Sequence, residues 1–122
     1  MANSCWNTIT IEGPDSVLDV IEKRFRQYND FKYFTQFAQH VLGLEIEEPP
    51  EGDIFPWAYK YGTKWLDFLF EEERIQRGEG YLCISADSAW SPPIPLSEDI
   101  ARVFDVVVRH EFEESGMGFS GS

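Results

Sequence analysis

Arg77-Gly78-Glu79-Gly80-Tyr81-Leu82-Cys83-Ile84-Ser85-Ala86 is the stretch whose reading decides the fold. Arg77-Gly78-Glu79-Gly80 is turn chemistry, because two glycines supply backbone conformations that other residues avoid. From Tyr81 onward the chain alternates. Leu82, Ile84 and Ala86 share one side, and Tyr81, Cys83 and Ser85 the other, which is the two-residue period of a half-buried strand. A turn followed by such a strand predicts a hairpin with the segment before it. That segment, Leu66 to Phe70, reads as a strand ending in Glu71-Glu72-Glu73; a helix over Trp65 to Arg77 competes, since Leu, Phe and Glu also suit helices.

Working outward, Asn7 to Glu12 alternates polar and β-branched residues and predicts a first strand. Gly13-Pro14 stops it, and Asp15 or Ser16 is expected to cap a helix. Val17, Leu18, Ile21, Phe25 and Tyr28 form the apolar stripe of that helix. Asn29-Asp30 breaks it and could cap a second helix carrying Phe31, Phe34, Phe37, Ala38, Val41 and Leu42, closed by Gly43. Leu44 to Pro56 is a loop by composition. On the other side of the hairpin, Trp90 to Pro95 is a turn in which proline ends the ladder. Leu96-Ser97-Glu98-Asp99 opens a third helix with Ser97 as its cap and Ile100, Val103 and Phe104 on its apolar side. Asp105 to Glu113 is a final strand, with Val106, Val108, His110 and Phe112 facing one way and Val107, Arg109, Glu111 and Glu113 the other. The order β, α, (α), β, β, α, β predicts one domain over residues 1–122. It is α+β and ferredoxin-like, a split βαβ with an antiparallel sheet, helices on one face and an extra helix after the first. The first strand should lie beside the third and the last.

Twenty-two acidic against ten basic residues leave a net charge of −12. Such a chain repels nucleic acid and anionic membrane, and attracts a basic protein surface. RNA-binding domains share this sheet plan but carry a basic and aromatic signature that is absent here. No apolar run approaches a membrane span, and no basic-then-apolar opening marks a secretory signal. A cytoplasmic protein of a bacterial host cell is expected, with Cys5 and Cys83 as free thiols. Two cysteines alone make no zinc spacing, and neither a metal nor a cofactor is expected.

Several stretches carry a family likeness. Met1-Ala2-Asn3-Ser4-Cys5-Trp6-Asn7-Thr8-Ile9-Thr10-Ile11-Glu12-Gly13 opens the chain. Gly62-Thr63-Lys64-Trp65 follows, with Leu66 intervening before Asp67. Ala89-Trp90-Ser91-Pro92-Pro93 is the next, and Glu113 or Glu114, Gly116 and Gly118-Phe119-Ser120-Gly121 close it. Together they resemble the YubB-like ferredoxin-like domain family of plasmid and phage proteins. The resemblance implies a mobile-element origin and an accessory or anti-defence role. It carries over no catalytic residue.

The sharpest expectation is a non-enzymatic protein that binds another protein. It would inhibit a defence system, anti-CRISPR or anti-restriction, by docking an acidic surface on a basic nucleic-acid-binding one. That surface comprises Glu45, Glu47, Glu48, Glu51, Asp53, Glu71, Glu72, Glu73, Glu111, Glu113 and Glu114. The alternative is a small-ligand-binding domain or minor enzyme with a pocket built from Gly62, Thr63, Lys64, Trp65, Asp67, Asp87, Trp90, Pro92 and Pro93. Trp65 and Trp90 would stack a ring there, or only clamp the Pro-Pro turn. Lys64 would pair with Asp87 or lie over a tryptophan. Asp67, Asp87, Glu111 and Glu113 could gather for acid–base chemistry or a divalent cation. His110-Glu111-Phe112-Glu113-Glu114 lacks the second histidine of a zinc protease motif, and no serine or cysteine stands in a recognisable triad context. An oligomer built through an exposed sheet face or an open strand edge is the third reading.

Overall fold

A computed structural model describes residues 4–63, 66–67, 74–89, 91–114 and 119–121. The chain runs β1 (Ser4–Glu12), α1 (Asp15–Phe25), a 3-10 turn (Tyr28–Asp30), α2 (Phe34–Leu42), α3 (Phe55–Ala58), β2 (Leu66–Asp67), β3 (Ile75–Gly78), β4 (Tyr81–Ala89), α4 (Ile94–Phe104), β5 (Val107–Glu114) and β6 (Phe119–Gly121). The strands make one antiparallel sheet in the order β2-β4-β1-β5-β6, with β3 on the same side of β4 as β2. Since β2 and β3 together form one interrupted edge, the order is that of a ferredoxin-like split βαβ. The first strand lies between the third and the last, as the sequence predicts.

Alternation explains the layering. Ile9 and Ile11 of β1, and Leu82, Ile84 and Ala86 of β4, are buried against Leu18, Ile21 and Phe25 of α1, Phe37, Ala38 and Val41 of α2, and Leu96 and Ile100 of α4. Phe37 anchors this core: Phe25 and Tyr28 meet it edge-on, with ring centroids 5.4 and 4.9 Å away. The opposite face, bearing Trp6, Thr8, Thr10, Tyr81, Cys83, Arg109 and Glu111, is not part of that core. Cys5 points inward and Cys83 outward, and Cys83 stands opposite Thr10 in the β1–β4 ladder, so the thiols are not neighbours.

Several boundaries differ from the sequence reading. The hairpin turn is only Glu79-Gly80, because Arg77 and Gly78 continue β3, and the strand across that turn is Ile75–Gly78 rather than the segment from Leu66, whose Leu66–Asp67 pairs with the far end of β4. Strands at Leu66–Asp67 and Ile75–Gly78 rule out one helix from Trp65 to Arg77. Neither Asp15 nor Ser16 caps α1, whose N-cap is Pro14. The Asp15 carboxylate is drawn off to the Gly80 N–H at 2.9 Å and to Arg77. Asn29 and Asp30 lie in the 3-10 turn, and α2 begins at Phe34. Gly43 closes α2 in the left-handed conformation, with φ 74°, as expected. α4 begins at Ile94, so Ser97 lies inside the helix, and Val103 is exposed rather than on its apolar side. β6 has no counterpart in the sequence reading.

Candidate functional site

Two polar regions flank β1 on opposite faces of the sheet. The inner one begins with Asn7, which stands in the phase of Ile9 and Ile11 and is fully buried. Its amide nitrogen donates to the carbonyls of Cys5 and Ala86 and to Ser88 Oγ, at 3.0, 3.3 and 2.8 Å. That fixes the amide orientation, so Asn7 Oδ1 faces His110 Nε2, 2.7 Å away on β5. Nε2 therefore carries the proton, and Nδ1 is left as acceptor for the Ser97 hydroxyl of α4, also at 2.7 Å. Burial disfavours the imidazolium and pushes the His110 pKa down to about 4. At neutral pH the relay is uncharged.

The relay continues the other way. Ser88 Oγ donates to the Ser91 carbonyl at 2.8 Å, and Ser91 Oγ donates to the Gly62 carbonyl. Gly62 adopts φ +99°, and a Cβ there would meet the Pro92 carbonyl oxygen at 2.8 Å and Pro95 Cδ at 2.7 Å. The glycine of one family-like stretch is thus locked against the Pro-Pro turn of the other, with Thr63 and Pro93 buried beside it. Of the expected pocket, Lys64, Trp65 and Trp90 lie outside the described residues.

A hydroxyl, an imidazole and an amide in series have the connectivity of a base-activated nucleophile. Here the serine is 5% and the histidine 6% exposed. The relay connects α4, β5, β1 and β4 through side-chain hydrogen bonds. Sequence reasoning missed it. The only signal was Asn7 falling among isoleucines and His110 among valines and phenylalanine, two polar residues in phase with apolar rows.

The outer region is charged. In register, Trp6 stands between Asp87 and Glu113, Thr8 opposite Glu111, and Thr10 opposite Arg109. Arg74 lies over the Trp6 ring, 4.9 Å from its centroid, and 3.9 Å from the Asp87 carboxylate. Arg109 pairs with Glu12. Of the expected carboxylate group, Asp67 is placed by its backbone pairing with Asp87. Among the described residues, no three acidic, histidine or cysteine side chains group closely enough to hold a metal ion.

The acidic loop after α2 is divided in its roles. Glu47 is committed internally: Gln39 donates to its carboxylate and accepts its N–H, Gln36 donates to its carbonyl, and Lys60 pairs with it at 3.1 Å. The hydrogen bond from Lys60 leads in holding the Glu47 carboxyl below its ordinary pKa. Asp53 accepts the Phe55 N–H at the start of α3. Glu45, Glu48 and Glu51 are exposed and, among the described residues, meet no cation. Glu71, Glu72 and Glu73 lie outside the described residues, and Glu114 is placed by its pairing with Cys5 and Phe119.

A third feature lies along β5. Its Phe112–Glu114 end pairs with β6, but the Val107–Glu111 portion has β1 on one side only among the described residues. Beside that portion runs a groove of about 240 Å³ lined by Ile94, Ser97, Glu98, Ala101, Val108 and His110. A second hollow is lined by Val108, Arg109, His110 and Glu111 alone.

Residues 67–122 match a family model described as a ferredoxin-like domain in Api92-like protein. The match covers just under half of the chain and includes β4, α4 and β5, the elements that carry Ser88, Ser97 and His110. No curated protein and no solved structure matches the chain. Among the described residues, no helix is long and apolar enough to cross a membrane.

Proposed function

We propose that this protein works without catalysis, by presenting an acidic surface to a basic surface of another protein. The observation that carries the reading is the fate of its cations. Of the ten lysines and arginines, six are drawn into intramolecular ion pairs among the described residues: Arg26, Lys60, Arg74, Arg77, Arg102 and Arg109. Glu45, Glu48, Glu51, Glu98 and Glu113 meet none among the described residues. Such pairing leaves the net charge at −12, so the protein as a whole stays strongly acidic, which favours a cationic protein partner and disfavours nucleic acid. Electrostatic steering of this kind gives fast association that weakens with salt.

The finer form of the reading is an anti-defence inhibitor of mobile-element origin that occupies a nucleic-acid-binding surface in the host cytoplasm. The likeness of the opening strand and of the Gly62 and Pro92-Pro93 stretches to plasmid and phage proteins supports it. Affinity capture from bacterial lysate at low and high salt, read by mass spectrometry, tests both forms. The expected result is a salt-sensitive partner that normally binds nucleic acid. Charge reversal at Glu48 and Glu51 should weaken capture while leaving the fold intact. Glu47 is a poor choice for this, because its carboxylate holds the loop to α2. Capture that survives both high salt and charge reversal would refute the acidic docking surface.

A further inference from the structure

We infer that the hollow between α1 and α2 lined by Val20, Lys23, Arg24, Gln27 and His40 is an anion site that takes a phosphate group. It is independent of the acidic-docking reading.

The sorting of charge along α1 supplies the first argument. Asp15, Asp19 and Glu22 recur three and four residues apart on one face of the helix, and Arg77 of β3 gathers all three. Val20, Lys23, Arg24 and, just past the helix end, Gln27 recur with the same spacing on another face. There they meet His40 of α2 around a space of about 410 Å³. The carboxylates of α1 are thus drawn toward the sheet edge, and its remaining cations are turned toward α2. Among the described lysines and arginines, Lys23, Arg24 and Lys32 have no carboxylate partner, and two of these three line the hollow.

The donors are also held in place. The Arg24 guanidinium donates to the Val41 carbonyl at 3.1 Å and lies over the Phe104 ring, 5.9 Å from its centroid. That bond fixes the guanidinium plane and leaves most of its N–H donors unspent. Across the hollow, His40 Nε2 is 2.7 Å from Gln27 Oε1. An amide oxygen only accepts, so Nε2 carries the proton and the Gln27 NH2 group is left to donate. A guanidinium, an ammonium and an amide around one space suit the several acceptor oxygens of a phosphate.

Size and lining narrow the class. A space of this volume is in the range of small-molecule sites, and Val20, 40% exposed, gives it an apolar side. It admits free phosphate or phosphate carried on a small organic body. A nucleic-acid strand is a poor occupant, because each further phosphate would meet the field of a chain with net charge −12. A single phosphate feels mainly the two cations beside it, since more distant charges are screened beyond about 10 Å.

His40 provides a reporter. Burial, and then the Arg24 cation, hold its pKa below the ordinary value against an opposite pull from Asp30. An anion in the hollow would counter the Arg24 effect and raise it.

The test titrates the whole protein with inorganic phosphate and, separately, with phenyl phosphate, while chloride keeps the ionic strength constant. Amide chemical shifts locate and measure binding, and carbon shifts of the His40 ring against pH follow its protonation. Perturbation centred on residues 20–27 and His40 is expected, with a rise in the His40 midpoint on saturation. Lys23→Gln, at an exposed position, should weaken binding by about fivefold. Val20→Glu, which puts a carboxylate in the wall, should weaken it by about tenfold or more. Lys32→Gln removes the same charge outside the hollow and should leave binding unchanged. Tighter binding of phenyl phosphate assigns the site to a phosphorylated organic molecule, and equal binding assigns it to free phosphate; both support it. Equal losses in Lys23→Gln and Lys32→Gln, perturbation centred elsewhere, or an unmoved His40 midpoint would overturn the inference. So would the absence of binding by either probe at millimolar concentration.

Discussion

The two edges of the sheet are held by different forces. At the β3 edge the fastening is ionic and lies at the surface. Arg77 reaches from β3 to Asp15, Asp19 and Glu22 along α1, and Asp15 also takes the Gly80 N–H of the hairpin turn. The strand there is only four residues long and carries that arginine, which are two of the devices that keep an edge from pairing elsewhere. At the β5 edge the fastening is neutral and buried, running from Ser97 through His110 to Asn7. Its outer side has no comparable guard among the described residues. One edge directs its charges onto itself. The other is anchored from within, through side chains that carry no charge at neutral pH.

The buried side of this contrast is broken most severely at Gly62, where the chain of hydrogen bonds from Asn7 through Ser88 and Ser91 ends. Gly62→Ala would place a Cβ against the Pro92 carbonyl in a backbone conformation that alanine resists. A loss of about 3 kcal/mol is expected, combining left-handed strain with overpacking. Denaturant unfolding measures it. A near-neutral result would mean that the Gly62 and Pro92-Pro93 stretches are not locked together.

Acid should act on the β5 side first. An unfolded histidine takes up its proton near pH 6.5, by about the ordinary imidazole value. Folded His110 resists until about 4. Its folded pKa is thus depressed, so its neutral form is favoured in the native state and stability falls as the pH drops from about 6.5 toward 4. The drop amounts to about 3 kcal/mol, because each tenfold difference in proton affinity between the unfolded and folded chain is worth about 1.4 kcal/mol. Asp15 behaves in the same direction over a lower window. The Gly80 N–H, and then Arg77, hold its carboxyl below the usual value, so its contribution is lost only as the pH falls below about 4. Carbon chemical shifts of the His110 ring against pH check this. A midpoint near the ordinary imidazole value would remove the buried neutral relay from the account.

Salt should act on the other side. Arg77→Ala should lower the Tm by a few degrees in dilute buffer, and by less in concentrated salt, because its partners are largely exposed and screened. A deficit independent of salt would point to lost packing of the arginine stem instead.

The strand from Tyr81, the first helix's stripe and the sheet neighbours were legible in the sequence. The strand across the hairpin turn, Ile75–Gly78, was not, since the sequence reading put Leu66 to Phe70 in that place. In the first strand local periodicity suffices: Ile9 and Ile11 announce the buried face by themselves. The caps were less legible. Asp15 and Ser97 both look like helix starts, yet each is claimed by a partner far along the chain, Arg77 in one case and His110 in the other. Local propensity cannot register that competition. The acidic loop was visible as composition, but not that Glu47 serves the fold while Glu48 and Glu51 do not.

The difference between the edges is most directly measured by residue-resolved hydrogen exchange at three conditions: neutral pH, mild acid above the carboxylate range, and neutral pH with concentrated salt. Protection factors, which remove the chemical rate's own pH dependence, should fall in acid first at the β1-bonded amides of β5, with those of Ile75–Gly78 unchanged. Salt should do the reverse. Loss of protection at both edges together, or at Ile75–Gly78 first in acid, would contradict the claim that one edge is held by ions and the other by a buried neutral relay.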